Sequence, residues 1–136
     1  MWRATMLVAV AFSACVTVKV TVPSEIRSDF DLDRTLTRLD DCDALGDTFV
    51  AVVGEAAREL DDLAASSGGR VPPGELTTKV DVVTGTSFFR IGGQLGCDAV
   101  SQRVDTIERL RRLQPESAAG KDLVEEVIRH LQEESG

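Results

Sequence analysis

The sequence predicts a mainly α protein, a small three- or four-helix bundle, and three observations carry that expectation. Residues 45–63, 97–113 and 121–133 repeat apolar side chains at the three- and four-residue spacing of a half-buried helix. Helix breakers separate them, SSGGRVPPG at 66–74 and Gln114-Pro115. The chain has 136 residues, 43% hydrophobic and 28% charged, which is material for one domain with a modest core and leaves no room for a second.

The first element is Met1 to Cys15. Arg3 precedes the apolar run Met6 to Phe12, and small residues follow at Ser13-Ala14 before Cys15. This is the layout of an export signal, a charged start, a short apolar middle and small residues at the cut. The run is about half the roughly 20 apolar residues that a membrane-spanning helix needs. Phe12-Ser13-Ala14-Cys15 resembles the lipobox of bacterial lipoproteins, with Phe12 where an aliphatic residue usually stands. The resemblance covers these four positions and the run before them. It implies removal of residues 1–14, lipid attachment at Cys15, and a chain held on a membrane of the bacterial cell envelope, facing the periplasm or the exterior. Two other readings stay open: plain secretion after an ordinary cut, and an unprocessed domain in which Met6 to Val22 forms strands or a buried helix.

If Cys15 carries lipid, Cys42 and Cys97 remain as an even pair in an oxidising compartment, where such pairs bridge. Closing a loop of roughly 55 residues would contribute about 4 kcal/mol through the unfolded state. The competing reading is two free thiols acting as small core hydrophobes.

Val16 to Val22 alternates four Val with Thr, Lys and Thr, the pattern of a strand, and Pro23 ends it. Residues 15–33 therefore read as an anchor followed by an extended segment, and 34–136 as a single disulfide-linked helical domain. Asp29, Asp31 and Asp33 open like a calcium loop. Arg34 then stands where that loop needs Gly, and Asp40 where it needs a bidentate Glu, so a solvated acidic face with Phe30 and Leu32 inward is the better reading. Leu32, Leu36 and Leu39 predict a short helix over about Arg34 to Asp41.

In the next helix Leu45, Phe49, Val52, Val53, Ala56, Leu60 and Leu63 face inward. Asp43 is placed to cap its start. Phe49 to Val53 is apolar nearly all round, which predicts cover on more than one side, and Gly46 and Gly54 suggest close approach of another backbone. Residues 75–96 allow two readings: a helix over about Pro73 to Val83 with a Gly-rich connection after it, or a short β-hairpin pairing 79–83 with 87–91. The helix is preferred, because the other helices need a further one to cover their apolar faces. Gly92-Gly93-Gln94-Leu95-Gly96 lacks the Lys-Ser/Thr of a phosphate loop and reads as a turn.

Cys97 is expected to open a helix with Val100, Val104, Ile107, Leu110 and Leu113 inward. Its exposed side carries Asp105–Arg109 and Glu108–Arg112 pairs, and Arg109, Arg111 and Arg112 lie near its C-terminal end, where the dipole favours cations. The last helix, about Lys121 to Glu133, turns Leu123, Val124, Val127, Ile128 and Leu131 inward.

Chemistry is narrowed by inventory. The single histidine, His130, has no partner at sequence level, and Arg90 is the one charge embedded in apolar sequence. No catalytic residue, metal ligand set or cofactor motif is identified. The net charge of −8 becomes one unit more negative if residues 1–14 are lost, and this argues against nucleic acid as a partner. The expectation is a non-enzymatic envelope protein, an interaction or assembly accessory with the membrane as one partner through its lipid and an envelope protein as another. The rivals are a carrier of a small apolar ligand in a helical cavity, an acid-catalysed hydrolase, and an unprocessed soluble interaction domain.

Overall fold

The computed structural model describes residues 26–27 and 29–134. Among these it contains six helices: α1 Leu32–Leu36, α2 Cys42–Ser66, α3 Pro73–Thr84, α4 Phe88–Gln94, α5 Ala99–Arg112 and α6 Ala118–Glu133. No strand occurs among the described residues. The expected strand over Val16 to Val22 lies outside them, as does Cys15.

Of the two readings of residues 75–96, the preferred helix is formed, as α3, and the alternative hairpin is not. Residues 79–83 belong to α3 and 88–91 to α4, and Gly92-Gly93, read as a turn, lie within α4. The seven-residue α4 has little helix propensity of its own. It is held by Phe88, buried and stacked on Phe49 of α2 at 4.6 Å between ring centroids. Past its C-cap Leu95, Gly96 with a φ of +86° supplies the left-handed residue of a Schellman turn, with the Gly96 and Cys97 amides donating to Gly93 and Gly92 carbonyls at 3.1 and 2.9 Å.

The 25-residue α2 is the axis of the fold. It packs against α6, α5, α3 and α1, while α4 bridges α1 and α5. Leu45, Phe49, Val52, Val53, Ala56 and Leu60 are buried along it, and Val50 is partly buried, so the expectation of cover on several sides holds. Its start differs from expectation: Asp41, not Asp43, is the cap, accepting from the Ala44 amide at 2.7 Å. The glycines also differ. Cβ atoms built on these two would meet side chains rather than another backbone, Arg109 at 3.6 Å and Thr106 at 3.9 Å for Gly46 and Leu113 at 3.5 Å for Gly54.

Helix α1 runs over Leu32–Leu36 rather than Arg34 to Asp41, because Asp31 caps it through the Arg34 amide at 3.0 Å. The larger correction concerns α5. Asp98 caps it, so Cys97 precedes the helix instead of opening it. Val100 and Val104 are 63% and 56% exposed, while Gln102, Thr106, Ile107 and Leu110 are buried. The helix is turned to a different face because Arg103 lies over the Phe89 ring at 5.1 Å and donates to the Leu131 carbonyl at 3.1 Å and to that of Glu134. Those bonds occupy the carbonyls left open at the end of α6.

The body also starts earlier than residue 34. Ile26 is fully buried, and its backbone is gripped by a buried ion pair. Lys79 Nζ on α3 lies 2.9 Å from Glu59 Oε1 on α2 and donates to the Ile26 carbonyl at 2.7 Å, while the Ile26 amide donates to Glu59 Oε2 at 2.7 Å. The Lys79 and Glu59 side chains are 6% and 12% exposed. Desolvating two charges costs several kcal/mol, which the attraction offsets only when the remaining donors and acceptors are satisfied. The Ile26 peptide groups satisfy them here.

Removing one member leaves the other buried and unpaired. Lys79→Met is therefore expected to lower unfolding free energy by about 3–5 kcal/mol, read from the urea midpoint at neutral pH. Gly54→Ala, mid-helix with its Cβ in ordinary van der Waals contact with Leu113 at 3.5 Å, should raise stability by about 0.5–1 kcal/mol. Gly120→Ala should lower it in the same assay, because its Cβ would lie 2.6 Å from Asp61 Oδ1 and 2.7 Å from Pro115 Cβ.

Candidate functional site

The Schellman turn after α4 delivers Cys97 to Cys42 at the first turn of α2, and the structure joins them as a disulfide with Cα atoms 5.8 Å apart. The bridge forms one wall of a cleft of about 270 Å³ between the N-terminal ends of α2 and α5. Gln102 and Thr106, on successive turns of α5, are among the residues that line it, and Gly46 lies on the α2 side. Gln102 packs against Gly92, where an added Cβ would meet Oε1 and force the Gln102 side chain to shift. Gln102 Nε2 and Thr106 Oγ1 are buried and have no hydrogen-bond partner.

The rim is charged. Asp43, Asp98 and Asp105 line it with Arg109, whose Nη2 lies 3.0 Å from Asp105 Oδ2 and whose Nη1 pairs with Asp47. The backbone amide of Ser101, with its side chain, holds the Asp98 carboxyl below the ordinary aspartate value. Arg109 is thus drawn across to α2 instead of standing in a basic patch with Arg111 and Arg112, of which Arg111 lines a separate groove beside α6.

The other sequence candidates are dispersed. His130 is half-buried near the end of α6, with Nε2 3.6 Å from Glu134 Oε2. Arg90 is exposed on α4. Asp29, Asp31 and Asp33 line a groove of about 590 Å³ with Asp81, but two of them serve as structural acceptors. Asp31 caps α1, and Asp33 Oδ1 accepts from the Thr86 hydroxyl at 2.6 Å and the Ser87 amide at 2.7 Å, which fixes the entry to α4. Among the described residues no group of three or more His, Cys, Asp or Glu is placed to hold a metal ion. No described helix is long and apolar enough to cross a membrane.

Sequence reasoning missed Gln102, Thr106, Lys79, Glu59 and Asp61. A readable signal existed for the first pair: Gln102, Thr106 and Leu110 share one i, i+4 row. Asp61 on α2 accepts from the Glu116 and Ser117 amides, both at 2.9 Å, and from the Ser117 hydroxyl, while Ser117 Oγ caps α6 through the Gly120 amide at 2.9 Å.

Comparison with family models, with curated proteins and with solved structures finds no match.

Burial pushes the Asp33 and Asp61 carboxyls up, but the hydrogen bonds from Thr86 and Ser87, and from Ser117 and Glu116, outweigh it and hold both below the ordinary value of 3.8. A group whose folded pKa is depressed contributes stability that is complete above its unfolded pKa and is lost as pH falls through the folded one. Urea-unfolding free energy should therefore fall as pH drops below about 4. An Asp33→Asn, Asp61→Asn double variant should be less stable at neutral pH and show a shallower acid loss; an unchanged acid slope would count against these two groups.

Proposed function

We propose that the chain is a non-enzymatic exported lipoprotein, anchored in a bacterial envelope membrane through lipid on Cys15, whose helical body acts as an interaction or assembly accessory. The observation that carries this reading is the division of the cysteines. The bridge uses Cys42 and Cys97, which suits an oxidising compartment, and leaves Cys15 behind the apolar run Met6 to Phe12.

The buried Ile26 supports a body held near the membrane. It follows Cys15 closely enough that the intervening chain reaches at most about 40 Å when fully extended. A non-catalytic role is favoured by the use of the polar groups. Asp31, Asp33, Asp41, Asp61 and Asp98 accept backbone amides, and Lys79 and Glu59 hold the chain entry. A carrier of an apolar ligand is less favoured, since Phe49, Phe88, Leu60 and Leu123 fill the space between helices and the surface grooves have charged linings.

Intact-mass analysis of the membrane fraction after expression in a bacterial host tests the reading. The expected species begins at Cys15, carries added acyl mass and resists thiol alkylation until reduced. A Cys15→Ser variant should leave the membrane fraction. A chain beginning at Met1 or Val16, or one without acyl mass, would contradict it.

A further inference from the structure

The geometry points to a weak homodimer in which two copies of the chain meet through one outer face of α5 and α6, the apolar ridge of each seated in the groove of the other.

The face is built along α5. Val100, Val104, Ile107 and Arg111, at i, i+4, i+7 and i+11, fall on one stripe of the helix. Val100 and Val104 are the large apolar side chains that the described residues leave exposed, at 63% and 56%, while Ile107 is 7% exposed. At Arg111 the stripe runs into the groove of about 410 Å³ between α5 and α6. There Leu113 and Ile128 stay partly open beside the buried Leu110 and Val124. A ridge and a groove therefore lie along one side of α5, with Leu113 nine residues, about 13 Å, beyond Val104.

That arrangement is complementary to itself. A two-fold axis passing beside Ile107 and Glu108 sets the second α5 antiparallel to the first and brings Val104 of each copy over Leu113 and Ile128 of the other. Each contact is then made twice, and the assembly closes at two.

Charge selects the occupant. The chain carries a net charge of −8, which opposes the approach of a second copy over most of the surface. On this face the charges balance. Arg111, Lys121 and Glu125 line the groove, and Glu108 stands about one turn before Arg111. Among the described residues these four enter no ion pair within 4.0 Å. Arg129, also at the groove, is already matched by Glu126 and Glu133. An acidic partner would be opposed by Glu108 and Glu125, and a basic one by Arg111 and Lys121. A second, antiparallel copy offers both signs in reversed order, so that Arg111 of each faces Glu108 of the other. One face of two helices is small beside the roughly 800 Å² per partner of a standard interface, so a dissociation constant of about 10–100 µM is expected. The face uses no residue before Ile26 and is independent of the proposed anchoring through Cys15.

Sedimentation velocity of the full disulfide-bonded chain, from roughly 1 to 500 µM so as to bracket that constant, is the test. A single reversible equilibrium between monomer and dimer is expected. Val104→Glu, at an exposed position, should weaken association at least about tenfold with the circular dichroism spectrum unchanged. Arg111→Glu should also weaken it, by setting acid against acid, and Arg111→Glu combined with Glu108→Arg should return it to within about threefold of the starting value. A chain that stays monomeric throughout, or one that grows into species larger than the dimer, overturns the proposal. So does a dimer that Val104→Glu leaves intact, as association through residues outside this face would be, or one that the double charge reversal does not restore.

Discussion

The grip of Lys79 and Glu59 on the Ile26 backbone is the constraint on which the rest of the structure depends. It joins three parts of the chain that share no local sequence, the entry segment, α2 and α3, at a point shielded from solvent. A buried ion pair is a poor source of net stability but a strict one, because every misplacement leaves a charge without a partner. With Ile26 fixed, the chain must enter the bundle beside α2, and the acidic segment through Asp33 is laid against α3 and α4.

The same device recurs in weaker form. Several helix ends are satisfied by a side chain from a different helix. Asp33 of α1 holds the start of α4, Asp61 of α2 holds the connection into α6, and Arg103 of α5 holds the carbonyls that end α6. Each such bond leaves a terminus satisfied only when its neighbour is in place, which couples helix formation to docking. The disulfide between Cys42 and Cys97 adds a covalent version at the starts of α2 and α5. One consequence is that several carboxylates, those of Asp31, Asp33, Asp41, Asp61 and Asp98, are committed to backbone amides. Near the bridge two buried polar atoms differ, since Gln102 Nε2 and Thr106 Oγ1 have no hydrogen-bond partner.

How much of this could be read from the sequence varied with its physical origin. Helices α2 and α6 were legible because their apolar rows are long and unbroken, and packing against each other is what those rows require. The period of α5 was legible but its rotation was not. Val100 and Val104 outweigh Gln102 and Thr106 on any scale of residue type, yet Arg103 and the placement of Cys97 decide which side faces α2. Helix α4 was illegible because FFRIGGQ owes its conformation to Phe88 in the core and to Asp33 outside the segment. Lys79 was within reach: it lies in the Leu76–Val83 row of an amphipathic helix, and a lysine there demands a buried acid. Naming Glu59 as that acid required the fold.

The central claim is that the entry segment is locked into the core at Ile26 rather than resting on its surface. Native-state hydrogen exchange of the Ile26 amide tests this most directly. The account predicts that this amide exchanges only through global unfolding, with the same opening free energy as the amide of Val53 in the middle of α2. Exchange at the rate of a fraying chain end, while Val53 stays protected, would contradict it.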